Sequence, residues 1–162
     1  MTVSEDTFRE LMSQFATGVT VVTVSGDGPH GMTANAVSSV SLDPPLCLVC
    51  VDHETRLYER FDDGIEHFCV NILSAEQQDL GEHFAGMAQL EGSPFETRSS
   101  QVTDEGAPVF DDSLAYLACS IEAMHPAGDH DIVVGRVTDG ELLDPSAEPL
   151  LFFQGEWAAF SD

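Results

Sequence analysis

Apolar residues near the start of the chain follow the period of a helix. They fall at positions i, i+3, i+4 and i+7, at Phe8, Leu11, Met12 and Phe15. This spacing places all four side chains on one face, so we predict an amphipathic helix over about residues 4–15.

Capping residues predict two further helices. Thr55 can cap a short helix that turns three large side chains inward, those of Leu57, Tyr58 and Phe61. Ser74 can begin another helix that runs through Phe84, because Ser74 and Gln77 stand at the spacing of a capping box.

Runs of β-branched and apolar residues between turn residues predict many short strands. They cover residues 19–24, one or two strands within 30–41, then 46–51, 68–72, 114–124, 131–142 and 150–153, and the segment 157–160 closes the chain. Residues 86–108 are rich in Gly, Ser and Pro, which indicates a long irregular connection. Many short strands with few flanking helices predict a mainly β, antiparallel barrel, built as a single domain over residues 1–162.

The segment 31–51 combines features of a strand pair with features of a binding site. Core residues such as Val37 and Leu48 alternate with short polar and small ones, including Thr33, Ala34, Asn35, Ala36, Ser38, Ser39 and Ser41. Small residues let a ligand approach the backbone, and neutral hydroxyl and amide groups suit a flat heteroaromatic ring or a phosphate better than a metal. A β-hairpin with a Ser/Thr-rich solvent face explains the same pattern, and this segment alone leaves both interpretations open.

The charge of the chain narrows its range of partners. Asp and Glu number 29 against five Arg and no Lys, and the net charge is −24. Surface carboxylates interact across ~10 Å at about 0.1 M salt but only across ~3 Å at about 1 M, so we predict a halophilic protein. No nucleic acid or anionic membrane is expected as a partner, because phosphates require a basic patch. The N-terminus has no apolar signal-type segment, which favours a cytoplasmic protein.

Cys47 and Cys50 have the CxxC spacing of redox and zinc sites. They lie in a run of strand residues, however, where positions i and i+3 face opposite sides of the sheet, so their sulfur atoms should not converge. No second CxxC or Cys/His cluster follows. We therefore predict no metal site and four buried structural thiols, at Cys47, Cys50, Cys69 and Cys119.

The sequence Gly128-Asp129-His130 is a second candidate for ligand contact. It lies at a predicted turn before a strand, which places the imidazole at the rim of the barrel, where it can stack on a ligand or form a hydrogen bond with it. A solvated loop histidine between two aspartates is the alternative that these residues leave open.

Five motifs in order over residues 8–160 resemble the flavin reductase family, which has the FMN-binding split-barrel fold. They are FATGVTVVT at 15–23, GMTANAVSSVSLDPPL at 31–46, FCVNIL at 68–73, GDH at 128–130 with its following strand, and PLLFFQG at 149–155. Members look like the small reductase component of two-component monooxygenases: NADH or NADPH reduces FMN or FAD, and the reduced flavin passes to a separate oxygenase. They are typically homodimers that bind flavin in a groove at the subunit interface.

The resemblance implies roles for particular residues. The edge of the flavin ring would be held, mostly through backbone groups, by Thr33, Ala34, Asn35 and Ala36. Toward the ribityl and phosphate end would lie Ser39, Asp52 and Thr55. His130 would sit beside the nicotinamide. Hydride transfer needs no protein nucleophile or metal, and this agrees with a sequence that shows no catalytic triad and no metal cluster.

Two departures from the family pattern concern the phosphate. Relatives often have basic residues and a Tyr where this chain has Gln154, Glu156 and Trp157, and residues 52–54 are more acidic than usual. Phosphate binding would then depend on the helix start at Thr55 and on Arg56. The alternative is that Arg56 and Arg60 pair with Glu59 and Asp63 at helical spacing.

Two other functions are compatible with the same flavin site. One is a flavin-dependent ferric reductase, in which the flavin passes electrons to a metal complex. The other is a non-enzymatic FMN-binding protein, which would leave NADH and NADPH untouched.

Overall fold

The fold is described from a computed structural model that covers residues 1–98 and 100–160. Its helices are α1 (Glu5–Ser13), α2 (Arg56–Asp62), α3 (Gln78–Phe84) and α4 (Pro94–Thr97), with a 3-10 turn at Ala75–Gln77. Its strands are β1 (Thr17–Gly18), β2 (Thr20–Val24), β3 (His30–Ala34), β4 (Val37–Leu42), β5 (Pro45–Asp52), β6 (His67–Ile72), β7 (Ser100–Val102), β8 (Pro108–Phe110), β9 (Ala115–Ala127), β10 (His130–Leu142), β11 (Leu151–Phe153) and β12 (Glu156–Ala158).

The predicted mainly β, antiparallel architecture is confirmed. Seven strands form one sheet in the order β3-β2-β6-β9-β10-β5-β4, and every pairing in it is antiparallel. Over the described residues this sheet is open, with β3 and β4 as its two edges, so the closed barrel expected from the sequence is not seen. Smaller sheets contain β1-β11-β12 and β7-β8.

Strand β2 lies at the centre of the packing because both of its faces are buried. Val22 and Val24 pack in one cluster with Val49, Val70 and Val133 of the same sheet. On the opposite face, Val21 and the preceding residue Val19 pack against other buried residues: Leu80 of α3, Phe110 of β8 and Leu150, which directly precedes β11. A strand between two apolar layers has no polar face, which explains the continuous run of buried residues in β2.

A buried asparagine fastens the connection after α4 to the sheet. The Asn71 side chain is fully buried, and its amide nitrogen donates to the carbonyl oxygens of Val21 (3.2 Å) and Pro108 (3.3 Å). Its amide oxygen accepts the backbone N–H of Phe110 at 3.0 Å. The segment 86–108 was predicted to be irregular, but it contains α4 and strand β7, which pairs with β8. The prediction is wrong there because these elements are too short to show a period in the sequence.

Helix α1 is amphipathic as predicted, but its apolar face is not covered by the described chain. Ser4 caps the helix by accepting the N–H of Thr7 at 3.2 Å. The exposed fractions lie between 51% and 71% for the four apolar residues, Phe8, Leu11, Met12 and Phe15. The helices around α2 and α3 also match the expected positions, with Leu57 and Phe61 buried, Tyr58 partly buried, and the Ser74–Gln77 capping box formed.

The cysteines confirm that Cys47 and Cys50 face opposite sides of β5, but the predicted burial of all four thiols is wrong for one of them. Cys47, Cys69 and Cys119 are buried, whereas Cys50 is partly exposed, because it points to the other face of β5. The Cys47 sulfur lies 3.6 Å from the sulfur of Cys119 instead of meeting Cys50. Gly135 lies between them on β10, and a Cβ there would stand 2.5 Å from the Phe68 ring and 2.9 Å from Cys119 Cβ, so this close packing requires glycine.

The described ranges contain neither a membrane-spanning helix nor a grouped set of metal-binding side chains. No helix within residues 1–98 or 100–160 is long and apolar enough to cross a membrane. In those same ranges, no three His, Cys, Asp or Glu side chains are grouped so that they could hold a metal ion.

Candidate active site

The link between the two sheet edges contains the first group of candidate residues. Thr33 and Ala34 end β3, and Asn35 and Ala36 connect it to β4. The Thr33 hydroxyl donates to the Gly81 carbonyl at 2.6 Å, and the Ala34 carbonyl accepts the Thr20 hydroxyl at 2.7 Å. These two residues are therefore held by the fold, whereas Asn35 and Ala36 are exposed.

Three open cavities meet at Asn35. The largest, of about 710 Å³, is lined by Asn35 and Ala36 together with apolar residues of α1 and of the sheet, among them Phe8, Met12, Leu48 and Cys50. A second, of about 420 Å³, lies between α1 and Phe152, and a third, of about 270 Å³, is lined by Thr33, Met87 and Trp157. A mostly apolar cleft with one amide and exposed backbone at its centre suits a flat heteroaromatic ring.

A second group lies where β5 ends and β10 begins. Asp52 and His130 face one another in the strand ladder. The Asp52 carboxylate accepts the N–H of Glu54 at 2.8 Å, and its carbonyl accepts the Thr55 hydroxyl at 2.7 Å. Thr55 in turn caps α2 by accepting the N–H of Tyr58 at 3.2 Å. Asp52 and Thr55 thus shape the turn before α2.

The two arginines of α2 differ in their contacts. The Arg60 guanidinium donates to the carbonyls of Ser25 (3.4 Å) and Gly28 (3.1 Å), which ties α2 to the turn between β2 and β3. Arg56, one helical turn earlier, is exposed and forms no ion pair with any residue in the described part of the chain. The helical pairs with Glu59 and Asp63 are therefore not seen, and Arg56 is available to an anion.

Ser39 lies apart from Asp52 and Thr55. It pairs with Cys47 in the ladder, and Cys47 stands five positions before Asp52 on β5. At about 3.3 Å per residue, this separates Ser39 from the Asp52 end by roughly 17 Å along the strand. The structure brings Asn35 and Ala36 closer to that end, because the Cys50 N–H donates to the Ala36 carbonyl at 3.0 Å.

The imidazole of His130 has a defined orientation. Gly128, with a φ of +67°, and Asp129 form the turn between β9 and β10. His130 Nδ1 lies 2.7 Å from Asp129 Oδ1, and since a carboxylate only accepts, Nδ1 carries the proton. This hydrogen bond is the main cause that lowers the pKa of Asp129. In the neutral ring Nε2 is then an acceptor, and the side chain is 39% exposed.

Comparison with known proteins shows the family of this chain. Residues 12–161 match the family described as flavin reductase like domain. The chain belongs to the flavin reductase family. It is 38% identical over 155 residues to an NADH-dependent FAD reductase of Streptomyces globisporus, covering 94% of this chain and 84% of the relative. It is 39% identical over 155 residues to the FMN reductase (NADH) SmoA of Agrobacterium fabrum, covering 95% of this chain and 85% of the relative.

A solved structure in this family extends the similarity to the fold. BorF, described as the flavin reductase component of a bacterial two-component tryptophan halogenase, superposes with a TM-score of 0.88 at 36% identity, and the match covers 98% of this chain and 99% of that one. The antiparallel sheet and its flanking helices are therefore those of a flavin reductase.

Two residues beside His130 were not expected to be part of the site. His53 Nε2 donates to Asp131 Oδ1 at 2.8 Å, and the Asp131 side chain is only 8% exposed. In the sequence, His53 stands out only as part of the acidic segment 52–54. The available signal was the alternation in β10: Asp131 shares the inward-facing positions with Val133 and Gly135, so a buried carboxylate that needs a partner could have been inferred.

Proposed function

We propose that this flavin reductase oxidises NADH and reduces free FMN or FAD, and that its ring-binding site is the cleft around Asn35 and Ala36. The observation that carries the proposal is the meeting of three cavities at an exposed amide and backbone link, at the same end of the sheet as His130. When both nucleotides are bound, a hydride with its two electrons passes from the nicotinamide to the flavin, and solvent supplies the remaining proton.

The protein contributes position and polarity. The backbone of Asn35 and Ala36 offers hydrogen bonds to the polar edge of the flavin, while the apolar lining excludes water from its faces. His130 Nε2 accepts a hydrogen bond from the carboxamide N–H of the nicotinamide, since Asp129 holds the proton on Nδ1. Arg56 binds the flavin phosphate near Thr55, as the α2 residue that is free to do so.

The split-barrel fold is part of this proposal. Strands β3 and β4 are consecutive in sequence and yet form opposite edges of the sheet, joined only by Asn35 and Ala36. A barrel split at that link would place the exposed backbone of the binding residues in the opening.

We also propose a homodimer in which a second copy covers α1. Three large apolar side chains of α1 and that of Phe15, two residues after it, are more than half exposed. Phe8 and Met12 line the largest of the three cavities together with Leu48 and Cys50 of β5. Fully burying such side chains stabilises an interface by roughly 1.5 to 3 kcal/mol each. A flavin in the cavity would then lie at the boundary between subunits.

The reduced flavin is passed to a separate oxygenase component in this proposal. This is supported by the similarity to BorF, which is the flavin reductase component of a two-component halogenase.

We place the enzyme in the cytoplasm, where NADH is present and thiols stay reduced, in keeping with four free cysteines. The net charge of −24 supports a halophilic cytoplasm with molar salt.

An anaerobic assay tests the activity. We expect stoichiometric bleaching of added FMN or FAD on addition of NADH in molar KCl, and the ratio of the two rates gives the preferred flavin. Steady NADH oxidation that requires an added ferric chelate as the final acceptor, and not added free flavin, would assign a ferric reductase. Flavin binding without NADH oxidation would assign a flavin carrier and overturn the proposal.

A further inference from the structure

His53 makes two hydrogen bonds that bracket His130 in the sequence. Its backbone N–H donates to the carbonyl of Asp129 at 3.0 Å, on the residue before His130. Its side-chain Nε2 donates to Asp131 Oδ1 at 2.8 Å, on the residue after. One residue directly after β5 thus holds both sequence neighbours of His130.

The side-chain bond is made in a confined environment. Asp131 points into the sheet's buried face, and within the described ranges His53 is the only side-chain hydrogen-bond partner of its carboxylate. A buried carboxylate loses much of its hydration and depends strongly on each remaining donor. The position of His53 is therefore closely tied to that of Asp131.

Helix α2 closes the opposite side of the His53 ring. The Tyr58 ring lies with its centroid 4.6 Å from that of His53. Loss of hydration raises the pKa of Tyr58, and the negative charge of Asp131 adds to the effect. The His53 imidazole is thus held between α2 and β10, and 34% of its side chain stays exposed.

We infer that His53 is a positioning residue for NADH: through Asp129 and Asp131 it fixes the start of β10, so that His130 presents Nε2 to the nicotinamide. The inference rests on the proposed role of His130. His53 itself does not touch the reacting atoms. In other enzymes too, a hydrogen bond between a side-chain donor and a buried carboxylate serves to orient a residue that contacts the ligand.

A substitution series separates positioning from general folding effects. Gln at position 53 can place its amide nitrogen where Nε2 stands, whereas Asn is too short to reach Asp131 and Leu has no donor. In stopped-flow reduction at molar KCl, we expect His53→Leu and His53→Asn to lower kcat/KM for NADH by about fivefold or more, with FMN affinity within about threefold. His53→Gln should recover most of the loss. His125→Leu, at an exposed histidine of β9, is the matched control and should leave both quantities unchanged.

A double-mutant cycle tests whether His53 acts through His130. If it does, His53→Leu should cost nothing further in a His130→Ala background. A loss that persists in full in that background, or an equal fall in FMN affinity and NADH use that Gln does not restore, would overturn the inference. If His53→Leu does not fold, the comparison of Gln with Asn decides alone. Wild-type kinetics in His130→Ala itself would instead refute the proposed role of His130.

Discussion

His130 Nδ1 donates a hydrogen bond to Asp129 Oδ1 across 2.7 Å, and in the neutral ring this bond leaves Nε2 as a hydrogen-bond acceptor. Asp129 lies in the turn between β9 and β10 and His130 is the first residue of β10, so the orientation of the ring is set locally. This turn is also attached to β5, because His130 pairs with Asp52 in the strand ladder. The imidazole is therefore fixed relative to the end of β5 that precedes α2.

Replacing His130 with Ala should affect NADH and spare flavin. We expect FMN affinity within about threefold of wild type, and kcat/KM for NADH lowered at least about tenfold, because positioning of the second substrate is lost. His130→Asn should retain part of the activity if it can still accept a hydrogen bond. Fluorescence titration of FMN and stopped-flow flavin reduction measure the two quantities. Wild-type reduction rates in the Ala variant would make His130 a solvated loop residue.

Replacing Arg56 with Ala should weaken ligands that carry a phosphate. Loss of a charge-assisted hydrogen bond predicts FMN binding weaker by about 10- to 100-fold, with riboflavin much less affected. Arg136→Ala is a matched control, since Arg136 pairs with Glu122 across β9 and β10 and lines none of the three cavities that meet at Asn35. Equal losses for FMN and riboflavin would show that Arg56 acts on the helix and not on the phosphate.

The sequence predicted the local elements better than the relations between them. Helix α1, the strands on either side of Asn35 and the cap at Thr55 follow from periods and capping residues that lie within a few positions of one another. The contact of His53 with Asp131 joins residues 78 positions apart in the sequence. It depends on the register between β5 and β10 and on the position of α2.

The candidate flavin residues show the same limit. Ser39 and Asp52 were grouped together because both follow from the family resemblance, yet they belong to opposite ends of β5 in the ladder. Likewise, an amphipathic period predicted the face of α1 but could not say what covers it, because the described chain itself leaves Phe8 and Leu11 exposed. Pairing register and partner surfaces are properties of the assembled fold.

The apolar face of α1 gives a prediction about assembly. Leu11→Asp places a charge in the proposed interface and should convert a dimer into monomers in size-exclusion chromatography with light scattering. FMN affinity should fall as well, because α1 lines the largest cavity. Glu10→Ala, on the opposite side of the helix, should leave the dimer intact. A Leu11→Asp protein that remains dimeric would place the interface elsewhere.

The net charge gives a prediction about salt. Screening lengths fall from ~10 Å at about 0.1 M to ~3 Å at about 1 M, so repulsion among the 29 acidic side chains should decrease over this range. We expect the thermal midpoint, followed by circular dichroism, to rise steadily with KCl and the structure to be lost at low salt. A spectrum and midpoint that are the same at 0.1 M and at 2 M KCl would contradict a halophilic adaptation.

His30 should make folding stability depend on pH just below neutrality. Burial lowers its pKa, and the charges of Arg60 and Arg56 lower it further, against an opposing effect of Glu59. Above a pH of about 6.5 the histidine is neutral in both the folded and the unfolded chain. As the pH falls from there toward the lowered folded pKa, the unfolded chain binds the proton first, so stability is lost on acidification.

The matched variant His30→Gln isolates this contribution, because it keeps a polar side chain that cannot titrate. In urea unfolding at fixed molar KCl between pH 7 and pH 5, wild type should lose more stability than His30→Gln. The carboxylates with lowered pKa values, Glu122, Asp129 and Asp144, act below this window and are common to both proteins. Parallel pH profiles for the two proteins would show that His30 takes up its proton equally well when folded, contrary to its partly buried position at the start of β3 beside the charges of Arg60 and Arg56.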